Sequence, residues 1–183
     1  RRHGVTTATY LHLFDKSRLG GYCGHPTLAL AYEHAIDLVL TCSDMMAADA
    51  TSLGVPRVKT LSLPNAPSLA PDAASQATVR SPIGRPLRLL YLGRLDTQKG
   101  LDRLAEILDV IDREPDYETR IVGKSVLTDG NSLLSRHEHL IEPPIYDDAA
   151  LRELYAWADV LLLPSRYEGL PLTVLEAMIH GVV

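Results

Sequence analysis

The sequence predicts an α/β protein with doubly wound parallel sheets in two Rossmann-like lobes. Short apolar runs that end at glycine, proline or polar residues alternate with helix-forming segments, as in strands joined by helical crossovers. Residues 64–86 interrupt this alternation with a stretch that is rich in proline, alanine and serine. The alternation restarts at Leu87, which predicts a second lobe.

Residues 1–63 form part of the first predicted lobe. Its predicted elements are strands over 5–13, 37–43 and 57–63 and helices over 27–36 and 45–52. Ser43 and Asp44 have the side chains that cap a helix, which places the start of the second helix. So few strands predict an incomplete lobe.

Residues 64–86 lack periodicity and are predicted to be an interlobe linker or a mobile loop. The second lobe, 87–183, has predicted strands over 87–92, 118–123 and 160–163 and predicted helices over 101–111, 147–157 and 170–180. The sequence starts at Arg1 and stops at Val183 as another strand begins. We therefore expect a piece of a longer protein, with both lobes incomplete.

Composition limits the classes of function. Of 183 residues, 46% are hydrophobic and 22% are charged, as in globular domains, and the net charge of −5 argues against a nucleic-acid partner. No apolar run approaches the length of a membrane span. The two cysteines lack metal-ligand spacing, which favours a reducing cytoplasm over a disulfide.

The last predicted helix is apolar around most of its circumference, which indicates a helix buried between layers. Thr173, Glu176 and His180 form its one polar stripe, and a buried Glu176 needs a hydrogen-bonding partner. Glu168 lies in the loop just before this helix. Since ligands of α/β sheets bind outside the carboxyl ends of the strands, we expect both carboxylates to face one crevice.

The segment from Gly93 to Gly100, GRLDTQKG, joins a predicted strand to a predicted helix. Arg94 and Lys99 are the cations nearest the helix start, and a guanidinium, an ammonium and a helix N-terminus together can hold a phosphate group. The glycine order fits neither a Walker loop nor a dinucleotide-binding fingerprint. The alternative is a pair of solvated loop cations.

These two segments together resemble motifs of retaining glycosyltransferase family 4, the two-lobed GT-B enzymes. Glutamates separated by seven residues follow a strand that ends Leu-Pro-Ser, and Glu-Gly-Leu-Pro leads into Leu-Glu-Ala-Met. The resemblance implies that Glu168 and the amides of Gly169 and Leu170 contact the transferred sugar. It also implies that Glu176 accepts the ribose diol and that the amides of Leu172 and Thr173 face the diphosphate.

The element beginning Gly93-Arg94 resembles the Gly-Arg-Leu-x-x-x-Lys-Gly element of the same family, in which the Arg and Lys neutralise the leaving diphosphate. This implies catalytic roles for Arg94 and Lys99 beside Glu168. His12 resembles the family histidine that reaches the donor sugar from the acceptor lobe. The alternative for His12 is a solvated histidine at a strand end.

The resemblance implies transfer of a sugar from a UDP-, GDP- or ADP-sugar to a carbohydrate, lipid or small-molecule hydroxyl, with retention of anomeric configuration. No cofactor, metal or protein nucleophile is then required. We expect a cytoplasmic enzyme, with peripheral contact at the inner face of the membrane, through parts outside this chain, as an alternative. Glu142-Pro143-Pro144 departs from the family pattern and leaves the base-contacting residues open.

Other functions remain alternatives at this stage. One is a non-catalytic nucleotide-sugar-binding fragment or degenerate lobe, and another is a GT-B sugar-nucleotide epimerase or phosphorylase. A glycosidase is disfavoured, because it would leave the Arg94 and Lys99 anion site unexplained. His137 and His139 suggest a metal site, but in a strand these side chains would lie too far apart, without a third ligand.

Overall fold

The computed structural model describes residues 6–11, 35–52, 55–67, 69, 84–125 and 130–183. The chain divides into two compact units. The first consists of Arg1–Ala66 with Glu168–Pro171, and the second of Pro67–Tyr167 with Leu172–Val183. His12, Cys23, most of the predicted helix over 27–36 and most of the predicted linker lie outside the described residues.

The first unit contains a parallel three-stranded sheet in the order β1-β2-β3. Its elements are β1 (Ala8–Leu11), β2 (Leu38–Thr41), α1 (Asp44–Ser52) and β3 (Thr60–Ser62). As predicted, Ser43 caps α1: its Oγ accepts a hydrogen bond from the backbone N–H of Met46 at 3.1 Å. Val39, Ala50 and Val55 form the buried core beneath the sheet.

The prediction of a strand over 57–63 is wrong in its first half, where Arg57–Lys59 form a 3₁₀ turn. The carbonyl of Pro56 accepts hydrogen bonds from the N–H of Lys59 at 3.0 Å and from the Thr60 hydroxyl at 3.1 Å. These bonds close the chain into a turn, so that the strand begins only at Thr60.

The second unit contains a parallel four-stranded sheet in the order β6-β5-β4-β7. Its elements are β4 (Leu87–Leu92), α2 (Leu101–Ile111), β5 (Tyr117–Val122), α3 (Gly130–Leu133), β6 (Ile141–Glu142), α4 (Asp148–Trp157), β7 (Val160–Leu161) and α5 (Leu172–Ile179). Val183 exchanges backbone hydrogen bonds with Asp159 and Leu161 beside β7.

Both faces of this sheet are buried, which explains why β4 is a nearly continuous apolar run. Leu90 and Val122 face a core that includes Leu154 and Ala177 from α4 and α5. Tyr91 and its neighbours face the opposite core, whose fully buried members include Leu101, Leu104 and Leu108 of α2. The apolar stripe of α2, which contains Leu101, Leu104 and Leu108, is therefore the face that packs on the sheet.

The prediction that α5 is buried almost all round is wrong. Met178 is 66% exposed and Leu172 is 38% exposed, whereas Glu176 and His180 on the polar stripe are 7% and 6% exposed. The helix turns its polar stripe inward because that stripe finds a polar aromatic neighbour, Tyr155, on α4. The apolar pattern alone could not indicate which face would be covered.

His137 and His139 lie in a 3₁₀ segment, Ser135–Leu140, and not in a strand as the argument against a metal site assumed. The ring nitrogens of His137 lie 2.9 Å from Asp109 and 3.0 Å from Asp112, so that buried His137 joins this segment to α2 and the turn after it. The strand that follows is short, because Pro143 and Pro144 have no N–H to donate.

Within the described part of the chain, no helix has the length and apolar character needed to cross a bilayer. Among the same residues, no group of three or more His, Cys, Asp or Glu side chains has an arrangement that could hold a metal ion. Buried Cys42 packs its sulfur 3.7 Å from that of Met46.

An ion pair fixes the start of β7. Arg85 donates two hydrogen bonds of 2.7 Å to the carboxylate of Asp159, and the N–H of Arg88 donates another at 3.0 Å. Asp159 is only 8% exposed. The hydrogen bonds from Arg85 hold the pKa of the Asp159 carboxyl below its usual range, against the opposing effect of burial.

We expect Gly100→Ala to lower the free energy of unfolding by about 2 kcal/mol or more, measured by urea denaturation. Gly100 has a φ of 70°, and an added Cβ would lie 2.2 Å from the Pro164 carbonyl oxygen. The matched control is Gly84→Ala, with a φ of 84° and open space around it, for which backbone strain alone predicts about 1 kcal/mol. Equal losses in the two variants would contradict the close contact.

We expect Asp159→Asn to reduce the acid dependence of stability. Because the folded-state pKa is depressed, the ionised carboxyl stabilises the fold above its unfolded pKa, and this contribution is lost as pH falls through the folded value. The free energy of unfolding of the variant should therefore be lower at pH 7 and decline less from pH 7 towards acid, measured by urea melts. The control is Asp116→Asn in the exposed turn before β5. A variant whose pH profile matches that of the unsubstituted protein would count against the ion pair.

Candidate donor-binding site

The strand order of the second unit marks a ligand site. From β4 the chain proceeds outward to β5 and β6, and then returns to place β7 on the other side of β4. The order therefore reverses between β4 and β7, and ligands of open parallel sheets bind beyond the carboxyl ends of the strands at such a reversal. The loops that follow β4 and β7 contain or lead into most of the predicted site residues.

The loop after β4 is held by Asp96, which is 7% exposed. Its carboxylate accepts the N–H of Lys99 at 3.1 Å and lies 3.3 Å from a guanidinium nitrogen of Arg94. Buried Tyr91 donates its hydroxyl to the Arg94 carbonyl at 2.7 Å. The backbone is therefore fixed, while the Arg94 side chain is 53% exposed and accessible to a ligand.

The loop after β7 packs directly on the loop after β4. The N–H of Arg166 donates to the Gln98 carbonyl at 2.9 Å, and its guanidinium donates to the Thr97 carbonyl at 3.2 Å and to the Asp102 carboxylate at 2.5 Å. Arg103 donates in return to the Pro164 carbonyl at 3.2 Å. These bonds join the segment that contains Lys99 to the segment that leads into Glu168.

Glu176 lies on α5, and its carboxylate accepts the Tyr155 hydroxyl at 2.9 Å. This contact provides a hydrogen-bonding partner of the kind that a buried carboxylate needs. Burial, reinforced by the charge of Glu176, raises the pKa of Tyr155 far above its usual range. The first residues of α5, Leu172 and Thr173, have the N–H groups that a helix leaves without intrahelical partners.

A small pocket lies at the carboxyl ends of β4 and β5, with a volume of about 220 Å³. It is lined by Leu92, Gly93, Arg94, Val122, Gly123, Lys124, Pro144, Ile145 and Tyr146. Gly123 allows the two strand ends to approach closely, because a Cβ at this position would lie 1.9 Å from the Gly93 carbonyl oxygen. The Lys124 ammonium lies 5.9 Å from the centre of the Tyr146 ring.

Glu168, Gly169 and Leu170 group with the first unit. There the Tyr10 hydroxyl lies 2.6 Å from the Leu63 carbonyl oxygen and 2.7 Å from the Asn65 side-chain oxygen. The Asn65 amide approaches the Leu170 carbonyl at 3.5 Å. A larger groove of about 780 Å³, between α1 and β3 of this unit, contains none of the predicted site residues.

Comparison with known proteins identifies the family. Residues 86–183, more than half of the chain, match the family described as glycosyl transferases group 1. The chain belongs to the group 1 glycosyl transferases. The match covers β4 to α5, and thus both loops at the reversal in strand order.

Curated relatives match this group 1 glycosyl transferase over about half of its length. An uncharacterized 41.2 kDa protein in the cps region of Klebsiella pneumoniae is 33% identical over 96 residues, which are 52% of this chain and 26% of the relative. Glycogen synthase of Thermus thermophilus is 36% identical over 103 residues, which are 53% of this chain and 23% of the relative. The chain thus spans about a quarter of these relatives.

Solved structures share the GT-B fold with this group 1 glycosyl transferase. Anabaena Alr3699/HepE, in complex with UDP and glucose, aligns with 97% of the chain and 51% of its own length, at a TM-score of 0.64 and 18% identity. The α,α-trehalose-phosphate synthase (UDP-forming) of Burkholderia vietnamiensis aligns with 96% of the chain and 50% of its own length, at a TM-score of 0.65 and 17% identity.

Sequence reasoning missed the residues that hold this site of the glycosyl transferase together. Asp96 lies between Arg94 and Lys99 in the motif, and a helix-capping aspartate is a recognisable signal. Arg166 and Tyr155 gave no signal, because their partners lie 64 and 21 residues away in sequence. Lys124 and Tyr146 follow strand ends, where a pocket is expected.

We expect Arg166→Ala to lower the free energy of unfolding by about 1 to 2 kcal/mol, because it removes hydrogen bonds to a carboxylate and to a backbone carbonyl between two loops. Urea denaturation would measure this loss. The matched control is Arg136→Ala, whose exposed guanidinium contacts Asp109 and should contribute at most about 0.5 kcal/mol. If the two variants lose the same stability, the contact between the loops does not contribute as described.

Proposed function

We propose that the chain forms the donor-binding region of a retaining glycosyltransferase of family 4, which transfers a hexose from a nucleoside-diphosphate sugar to an acceptor hydroxyl. The observation that carries this proposal is the contact between the loops after β4 and β7, made by Arg166 with Gln98 and Thr97. This contact holds the segment with the two predicted phosphate-binding cations against the loop that leads into Glu168.

Arg94 and Lys99 bind the diphosphate in this proposal. During transfer the bond between the anomeric carbon and the diphosphate oxygen breaks, and negative charge develops on the leaving group. Cations that are already positioned stabilise that charge without reorganisation in the transition state. Asp96 keeps the Arg94 guanidinium close to the loop while more than half of the side chain remains exposed to the ligand.

The acceptor oxygen forms the new bond on the face that the diphosphate leaves, and its proton passes to a phosphate oxygen of the leaving group. This path retains the anomeric configuration without a protein nucleophile. Glu168, with the amides of Gly169 and Leu170, contacts the sugar hydroxyls. The N–H groups of Leu172 and Thr173 contribute a helix N-terminus to the diphosphate.

The Glu176 carboxylate accepts hydrogen bonds from the two ribose hydroxyls. The pocket of about 220 Å³ holds the base. Leu92, Val122 and Ile145 provide apolar surface there, and Lys124 and Tyr146 lie at its rim, where they can face base edges. This assigns the base contacts that the Glu142-Pro143-Pro144 departure left open. A UDP-sugar donor is supported by structural neighbours that were solved in complex with UDP.

A carbohydrate acceptor is the proposal that the relatives favour. Glycogen synthase of Thermus thermophilus and the trehalose-phosphate synthase of Burkholderia vietnamiensis are named for sugar-containing products. Their names also favour transfer over the epimerase, phosphorylase and purely binding alternatives. The proposed role of His12 in the acceptor lobe, a cytoplasmic location and independence from metal stay predictions.

We expect Arg94→Ala and Glu176→Ala each to weaken binding of UDP, GDP or ADP, whichever binds most tightly, by about 10- to 150-fold. Each substitution removes a hydrogen bond to a charged group, worth about 1.5 to 3 kcal/mol. Isothermal titration calorimetry measures the affinity. The control is Arg113→Ala, which removes an exposed cation beyond the far end of α2 and should leave the nucleotide affinity unchanged.

Unchanged nucleotide affinity in both variants would reject the site. If binding behaves as expected, sugar transfer and donor hydrolysis should be measured with the matching nucleotide sugar, and the product anomer assigned by NMR. Binding without either reaction in the full-length protein would favour the non-catalytic alternative, and an inverted product would exclude retention.

A further inference from the structure

Tyr155 and Glu176 form a buried pair between α4 and α5. Tyr155 is fully buried and Glu176 is 7% exposed. The tyrosine oxygen lies 2.9 Å from Glu176 Oε2 and 3.5 Å from the Thr173 carbonyl oxygen. A carboxylate with so little contact to water depends on protein donors, and the orientation of such donors then determines the direction of its remaining lone pairs.

The direction of this hydrogen bond is fixed by chemistry. Burial and the negative charge of Glu176 raise the pKa of Tyr155 far above its usual range, so that the phenol keeps its proton at any physiological pH. Tyr155 is therefore the donor and the Glu176 carboxylate is the acceptor. Donation to one oxygen still leaves acceptor capacity on a carboxylate, which has about four lone-pair sites.

His180 fixes the tyrosine ring from the other side. The two rings stack with centroids 5.2 Å apart and an interplanar angle of 18°. His180 Nδ1 lies 2.8 Å from the Glu176 carbonyl oxygen, and because a carbonyl oxygen only accepts, Nδ1 carries the proton. The backbone of Glu176 thus orients His180, His180 packs on Tyr155, and Tyr155 binds the Glu176 side chain.

We propose that Tyr155 is a positioning residue, whose hydroxyl holds the Glu176 carboxylate in the orientation that receives the 2′- and 3′-hydroxyls of a nucleoside diphosphate. The inference rests on the proposed function of Glu176 and adds the residue that sets its geometry. A carboxylate that rotates freely must be ordered when the diol binds, whereas one already held by a donor need not be. Tyr155 therefore contributes to recognition of the ribose without contacting it.

The test is Tyr155→Phe, which keeps the ring and its stacking on His180 and removes only the hydroxyl. Affinities are measured by calorimetry for UDP, GDP or ADP, whichever binds most tightly, and for the 2′,3′-dideoxy analogue of the same nucleotide. We expect the affinity for the ribonucleotide to fall about three- to tenfold, because one hydrogen bond to a charged group is weakened indirectly. The affinity for the dideoxy analogue should not change.

The ratio of the two affinities within one variant removes any effect of general destabilisation. Tyr117→Phe is the matched control: it makes the same chemical change at a partly exposed site at the start of β5, and should leave both affinities unchanged. Glu176→Gln and the double variant that combines it with Tyr155→Phe complete a double-mutant cycle. The two substitutions should be non-additive for the ribonucleotide, because they act on one interaction.

The outcomes separate the two levels of the proposal. If Glu176→Gln alters discrimination between ribonucleotide and dideoxynucleotide but Tyr155→Phe does not, the positioning role is overturned and the proposed function stands. An equal loss for both nucleotides in Tyr155→Phe also overturns it, because it indicates a structural role only. If Glu176→Gln leaves discrimination unchanged, or the protein binds none of the three nucleotides, the proposed function fails and the inference fails with it.

Discussion

The contact between the loops after β4 and β7 is the constraint on which the rest of the proposed donor-binding region depends. Parallel strands bring their carboxyl ends to one edge of the sheet, but they leave the loops there free to diverge. Arg166 prevents this divergence, since its N–H and guanidinium bind carbonyls of Gln98 and Thr97 and the carboxylate of Asp102. Gly100 makes the approach possible, because any larger residue would meet the Pro164 carbonyl.

Two acids of this region are buried, whereas one of its bases is exposed to solvent. Asp96 and Glu176 are nearly buried, and each is bound by donors of the protein itself. The Arg94 side chain is more than half exposed. The two acids are therefore held in fixed orientations, while the Arg94 guanidinium remains open to solvent. Such preorganisation is what charge stabilisation in a transition state requires.

The elements of the second unit were largely predictable from sequence. The bounds of β4 and α2 coincide with the predicted 87–92 and 101–111, because apolar runs bounded by glycine and helical periodicity are both strong there. Prediction was weaker where short-range hydrogen bonds compete with a strand, as at Arg57–Lys59 and Ser135–Leu140. Those turns depend on local carbonyl acceptors that a hydrophobic pattern does not report.

The sequence alone determined the fold class, the candidate phosphate-binding cations and the need of Glu176 for a buried partner. These follow from periodicity, residue chemistry and motif spacing, which are local properties of the chain. The tertiary structure decided which face of α5 is covered and that the Tyr155 hydroxyl donates to Glu176. It also decided that Arg166 joins the two loops. Such choices depend on residues that are distant in sequence and become neighbours only when parallel strands align, so no local pattern encodes them.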